Sequence, residues 1–265
     1  MRSKIDKFGL CLEEYTSNKN NADVYYKRAI GKYPEMEVSK ALSKLVNKSI
    51  KSNEKVLDVG CATGHFYRSL KKRIKKNFFY TGCDPYEIFL KLARKAWKNE
   101  KNTKFIKANI YKLPLKKNSH DITYCSNVLL HLPDLKKPLK ELIKVTKRRL
   151  ILRTVVYDVS YKIQLVYNNK WWKYTKTKPI DEFDSKGNPR SFSYFNIHSK
   201  DYLVALIKKL APKSKIKFIK DNKFSKKQIM NSKKNEKRPL ATTIIQGEQF
   251  SGCLMQPHFF VVIDL

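Results

Sequence analysis

The sequence predicts an α/β fold with a doubly wound, mostly parallel sheet and helices on both faces, and three observations carry that prediction. Short β-rich apolar runs alternate with helix-period segments between Lys55 and Val156, as crossover helices over a parallel sheet require. The first of these runs leads straight into a turn of small residues, Gly60-Cys61-Ala62-Thr63-Gly64, where a strand hands over to a helix. The chain of 265 residues is long enough for one such sheet with additions and a tight fit for two independent domains.

Five strands are expected in the core, 51–156: Lys55 to Val59, Phe78 to Cys83, Lys104 to Ala108, Asp121 to Cys125 and Arg149 to Val155. Between them Phe66, Leu70 and Ile74, and then Ile88, Leu92 and Ala96, recur at helical spacing. Leu139, Leu142, Ile143 and Thr146 mark a further helix after the turn at Pro133-Asp134. Residues 1–50 read as an N-terminal helical cap, broken at Tyr33-Pro34, with Met36, Leu42, Leu45, Val46 and Ile50 on its apolar face. Residues 157–199 read as an aromatic-rich lid inserted after the fifth strand, in which Tyr161, Tyr167, Trp171, Trp172 and Tyr174 are too many rings for a linker. Residues 200–265 are expected to complete the sheet. They offer a helix from Ser199 to Leu210, a strand from Lys215 to Lys220, a basic stretch from Asn222 to Arg238 read as a solvated loop, and an apolar run from His258 to Ile263.

Composition narrows the function. The net charge of +34 invites nucleic acid as a partner, because clustered cations release counterions from phosphate backbones. The excess is chiefly lysine, while arginine is the residue suited to bidentate phosphate recognition, so nucleic acid is not the favoured substrate. The five cysteines are scattered without a CxxC pair or a histidine at ligand spacing, which suggests neither a disulfide framework nor a metal site. With no apolar run of membrane-spanning length and no apolar centre near the N-terminus, a cytoplasmic protein without a membrane span is expected.

The chemistry concentrates in Val56-Leu57-Asp58-Val59-Gly60-Cys61-Ala62-Thr63-Gly64-His65-Phe66. Gly60 and Gly64 permit positive φ and close backbone approach, and open α/β sheets bind ligands at such carboxyl strand ends. A dinucleotide site would show G-x-G-x-x-G here, whereas these glycines stand four apart. Asp84 follows the second strand in Gly82-Cys83-Asp84-Pro85, Asn109-Ile110 follows the third, and Ser126-Asn127-Val128 follows the fourth. Each has a plainer reading: the glycines shape a tight turn, Asp84 caps the helix beginning at Tyr86, and Asn127 ends a strand.

Taken in order, these four segments, within residues 50 to 155, resemble the motifs of class I S-adenosylmethionine-dependent methyltransferases. The first is similar to that family's (D/E)-x-G-x-G-x-G, with Ala62 at the central glycine. The resemblance implies S-adenosyl-L-methionine as cofactor, held by Asp58, Gly60, Cys61, Ala62, Gly64, Asp84, Pro85, Asn109, Ile110 and Asn127. In it Asp84 takes the ribose hydroxyls, Asn109 and Ile110 flank the adenine, and Asp58 helps hold the amino group. The expected activity is methyl transfer to a small-molecule acceptor, with RNA or protein, or a catalytically silent cofactor-binding subunit, as alternatives. His131, beyond the fourth strand, is the leading general-base candidate if the acceptor is a hydroxyl, against local bonding at a helix start. His198, Tyr15, Tyr25 and Tyr26 are weaker candidates. The oligomeric state is left open.

Overall fold

A computed structural model describes residues 19–166, 183–189, 192–235, 242–251 and 254–265. In chain order its elements open with α1 (Lys19–Ala29), α2 (Glu37–Asn47), β1 (Glu54–Val59), α3 (His65–Arg73), β2 (Phe78–Asp84), α4 (Glu87–Ala96), β3 (Thr103–Lys107) and β4 (His120–Ser126). A 3-10 turn (Leu129–His131), α5 (Lys136–Val145), β5 (Thr146–Tyr157), β6 (Gln164–Val166), β7 (Phe192–Tyr194), β8 (His198–Ser199) and α6 (Lys200–Leu210) follow. The remainder is β9 (Lys215–Lys220), α7 (Lys226–Asn235), β10 (Thr242–Ile245), β11 (Glu248–Ser251), β12 (Leu254–Met255) and β13 (His258–Asp264).

The five core strands form in sequence order and pair in parallel, and the central sheet reads β3-β2-β1-β4-β5-β13-β9. The last strand of the chain therefore lies inside the sheet, antiparallel to β5 on one side and β9 on the other. Alternation along each strand sorts the core into two layers. Leu57 and Val59 of β1, with Leu150 and Leu152 of β5, pack under Leu139 and Leu142 of α5 and Leu203 of α6. Val56, Tyr80, Ile122, Tyr124 and Ile151 face the other way, under Leu42 and Val46 of α2 and Phe66 and Leu70 of α3. Polar residues on exposed faces and apolar residues on both faces of the inner strands are what a doubly wound sheet demands.

One expectation is refined, one is corrected and one element is added. The stripe Ile88, Leu92 and Ala96 is only half-buried, and α4 turns Phe89, Leu90 and Ala93 inward instead. The two stripes are one residue apart, about 100° of helix, and periodicity alone does not choose between them. The basic stretch read as a solvated loop contains the helix α7. Its start is fixed by reciprocal bonds, Gln228 N to Ser225 Oγ at 3.2 Å and Ser225 N to Gln228 Oε1 at 3.0 Å, a capping box that outweighs the charge of the segment. The three-stranded antiparallel sheet β10-β11-β12 was not foreseen. Of the aromatic insertion, residues 157–166, 183–189 and 192–199 are described. They form the β6-β7 ladder and a bridge between Tyr161 and Ile197, and Phe195 and Ile197 pack with Leu130 and Val155. Tyr167, Trp171, Trp172 and Tyr174 lie outside the described residues, as does Tyr15.

Candidate functional site

The end of β1 is a chain of backbone constraints that small residues satisfy. Gly60 N and Cys61 N both donate to Cys83 O, at 2.8 and 3.0 Å, so the turn folds back onto the end of β2. Gly60, Ala62 and Gly64 all have left-handed φ, of 82°, 46° and 68°. The alanine thus occupies a conformation that glycine adopts without strain. A Cβ on Gly60 would stand 2.4 Å from Cγ2 of Val128, the residue that brings the loop after β4 against this turn. Gly60→Ala is therefore expected to cost about 1–2 kcal/mol from its backbone alone, more as Val128 is displaced, and to lower Tm by about 2–4 °C for each kcal/mol. Differential scanning calorimetry checks this; an unchanged Tm would show the turn to be slack.

Asp84 closes the turn from the side. Its Oδ2 accepts from Ala62 N at 3.0 Å and its Oδ1 from Tyr86 N at 3.0 Å. Burial pushes this carboxyl up to about 6, against the two backbone donors that favour the charged form. Each oxygen retains a lone pair for a further donor. The expected helix cap is replaced by a local turn: Asp84 braces Tyr86 N ahead of α4, whose N-cap Tyr86 has no side-chain cap, and its lone pairs stay open to a ligand.

A cavity of about 350 Å³ opens at these strand ends, lined by Gly60 and Ala62, by Asp84 and Pro85, by Asn109 and Ile110, and by Asn127. Seven of the ten residues expected to hold a cofactor thus share one wall, and His131 borders the same space. Cys61 and Gly64 shape the turn from behind. Gly64 is packed against Phe105 and Trp97, while Cys61 is buried.

Asp58 departs from its expected place. It projects onto the α2–α3 side of the sheet, where its Oδ2 accepts from Tyr80 Oη at 2.7 Å and Tyr124 Oη at 2.8 Å. Burial, reinforced by the charge of Asp84, pushes it up to about 7 against those two donors. The unfolded carboxyl titrates near 3.9. Between about pH 4 and 7 the folded state therefore holds the extra proton, and this group's contribution to stability falls as pH rises by about 1.4 kcal/mol per pH unit. Asp58→Asn is expected to remove that slope, so that stability relative to the parent protein increases with pH across the window. Urea unfolding at pH 4.5, 5.5 and 6.5 tests it, and parallel pH curves for the two proteins would refute the assignment.

Several residues of the wall escaped the sequence reading. Tyr25 of α1, named there only as a weak base candidate, stacks on His65 with centroids 4.8 Å apart, so the N-terminal cap supplies part of the cavity. Burial drives His65 down to about 3, leaving a neutral imidazole. Its Nδ1 and the Oγ of Ser126 are enclosed without a hydrogen-bond partner among the described residues, and both side chains border the cavity. Enclosed orphan groups beside Asp84 suit a polar ligand that supplies the missing bonds. The position of His65 directly after Gly64 was the one available sequence signal.

His131 ends the 3-10 turn after β4. Its Nδ1 lies 2.9 Å from Tyr194 O, which fixes Nδ1–H as donor and leaves Nε2 as the basic nitrogen. Burial lowers its pKa, partly offset by that carbonyl. His131, Asn127 and Met36 also border a second cavity, of about 600 Å³, so the two spaces adjoin. Buried Arg153 lies in the wall of this second cavity, with Nε 2.7 Å from Asp221 Oδ2 and Nη1 on Asn127 Oδ1. His198 and Tyr26 border neither cavity: His198 is buried beside β5, and Lys95 lies over the Tyr26 ring. Among the described residues no cluster of three or more His, Cys, Asp or Glu side chains could hold a metal, and no helix is long and apolar enough to cross a membrane.

Residues 57–152 match the family described as a methyltransferase domain. An uncharacterised methyltransferase of Schizosaccharomyces pombe is 30% identical over 142 residues, covering 49% of this chain and 51% of that protein. The ubiquinone/menaquinone biosynthesis C-methyltransferase of Wigglesworthia glossinidia brevipalpis is 32% identical over 102 residues, covering 37% of this chain and 41% of that one. The chain thus spans about half the length of these curated relatives or less. An S-adenosylmethionine-dependent methyltransferase structure from Mesorhizobium loti superposes with a TM-score of 0.51 at 12% identity, over 95% of this chain and 99% of that one, a likeness of fold.

Proposed function

We propose that this chain, whose residues 57–152 match a methyltransferase domain, is a class I S-adenosylmethionine-dependent methyltransferase that transfers a methyl group from S-adenosyl-L-methionine to a small-molecule acceptor. The observation that carries this reading is the convergence of the glycine-bearing turn and Asp84, 3.0 Å apart at Ala62 N, on one cavity that adjoins a second. The first cavity is the cofactor's and the second the acceptor's.

The residues present fit that cofactor. Asp84 accepts from the ribose hydroxyls, while Asn109 and Ile110 flank the adenine. The side-chain oxygen of Asn109 accepts from Tyr111 N at 3.0 Å, which turns its amide nitrogen into the group available to an adenine nitrogen. The orphan Oγ of Ser126 and Nδ1 of His65 serve the polar methionine end, beside Asn127. Asp58 acts at one remove, by tying β1 to β2 and β4 through two tyrosine hydroxyls beneath the turn. When bound, the cofactor supplies an electrophilic methyl carbon, so no protein nucleophile is required. The protein's part is to position the acceptor atom, exclude water and remove a proton where the acceptor is a hydroxyl. His131, at the junction of the two cavities with its basic nitrogen set by Tyr194 O, is the residue for that proton.

Calorimetric titration with S-adenosylmethionine and S-adenosylhomocysteine tests the first cavity, and incubation of labelled cofactor with fractionated lysate tests the second. Binding, with label entering small molecules, is the expected result. Label in RNA or protein would reassign the acceptor, binding without transfer would identify a silent subunit, and absence of binding would overturn the reading.

A further inference from the structure

The acceptor-side cavity, about 600 Å³, is within the size range of small-molecule sites. Its carboxylates are already neutralised: Glu35 by Arg73 and Lys72, Glu37 by Lys40, and Asp221 by Arg153. Three cations of the same wall, Arg28, Lys223 and Lys227, have no carboxylate within ion-pair distance among the described residues. They come from α1, from the loop after β9 and from the first turn of α7, so three separate elements converge on one excess of positive charge.

Arg153 adds a built polar contact. Its side chain is 6% exposed, and it is gripped on one edge by Asp221 and on the other by Asn127. Those bonds use Nε and Nη1, and Nη2 is left without a partner among the described residues, in a side chain that borders the cavity. A guanidinium so fixed presents donors suited to a carboxylate or phosphate oxygen. Phe195, Phe224 and Pro34 supply an apolar side to the same space.

We infer that the acceptor is an anionic small molecule, whose carboxylate or phosphate group is received by Arg153, Arg28, Lys223 and Lys227 while its apolar body lies against Phe195 and Phe224. The inference rests on reading the adjoining cavity as the cofactor site. Lys223 and Lys227 are exposed and Arg28 is half-buried on the helical cap, so their removal spares the sheet.

The test titrates malonate and, separately, inorganic phosphate, at constant ionic strength, into the protein with and without S-adenosylhomocysteine. Four proteins are compared: the parent, Arg28→Ala, Lys223→Ala with Lys227→Ala, and a control carrying Lys91→Ala with Lys98→Ala on exposed positions outside both cavities. The expected result is binding of at least one anion to the parent and the control, weakened about tenfold in the other two; which anion binds tells carboxylate from phosphate. No binding by the parent, equal binding by all four, or a control weakened as much as the cavity variants overturns the inference. So does an effect of the cavity substitutions confined to a single-stranded RNA oligonucleotide run alongside, which would make the cations a nucleic-acid surface. Failure of S-adenosylhomocysteine to bind while the anion still binds refutes the cofactor reading alone.

Discussion

Asp84→Ala is expected to weaken S-adenosylmethionine binding by roughly 100-fold or more. A carboxylate shared by two ribose hydroxyls makes two charge-assisted bonds, each contributing about 1.5–3 kcal/mol, and about 3 kcal/mol corresponds to a little over 100-fold in Kd. The same substitution frees Ala62 N and Tyr86 N, which loosens the turn as well. Asp84→Asn separates the two effects, because it keeps an acceptor for one backbone donor while removing the charge; a loss of about tenfold is expected from it. Since burial holds Asp84 near 6, the parent's affinity is expected to fall as pH drops below that value, where the carboxyl gains a proton and ceases to be a pure acceptor. Calorimetry at pH 5 and 7.5 reads all three effects, and an alanine variant with the parent's Kd would remove Asp84 from the cofactor site.

His131→Ala is expected to lower kcat by about 100-fold or more for a hydroxyl acceptor, with the Kd for S-adenosylhomocysteine unchanged. Burial lowers the pKa of this histidine, so the base stays deprotonated below the ordinary range of the residue. The parent's rate should therefore be flat from about pH 6.5 upward and fall only at more acid pH, and that acid limb should vanish in the variant. Transfer of label into the active lysate fraction, followed across pH, reads the outcome. An acid limb retained by the variant would assign proton removal elsewhere, and an unchanged kcat would mean the acceptor needs no base.

Much of the fold was legible because its signals are local. β1 and its glycine turn follow from a buried apolar run ending in small residues, and the pairing of Gly60 N and Cys61 N with Cys83 O shows why that ending is needed. The position of Asp84 and Asn109 at the cavity was legible for the same reason, since they stand at or just beyond strand ends. What the sequence concealed depends on long-range pairing. Asp58 was expected to face a ligand, yet the alternation of β1 sends it to the layer of Val56, where β2 and β4 bring Tyr80 and Tyr124 from 22 and 66 residues away. Arg153 looked like any charge in a strand, and its partner Asp221 lies 68 residues further on. The helix α7 was concealed differently: the run of lysines suggested solvent, while Ser225 and Gln228 already spelled its start.

The strand order carries a consequence for how the molecule is made. β5 leaves the ribosome long before its neighbour β13, with residues 158–257 between them, and Thr154 then finds Phe259 across that gap. Until then Leu150, Leu152 and their neighbours form an apolar border with unpaired backbone groups, the kind of edge that recruits other chains. Such remote pairing also slows folding, because the loop must close before its contacts repay the lost entropy. Deleting 258–264 would strip β5 of its partner on one edge and β9 of its pairing in the central sheet, so such a truncation should send the nascent protein toward aggregation.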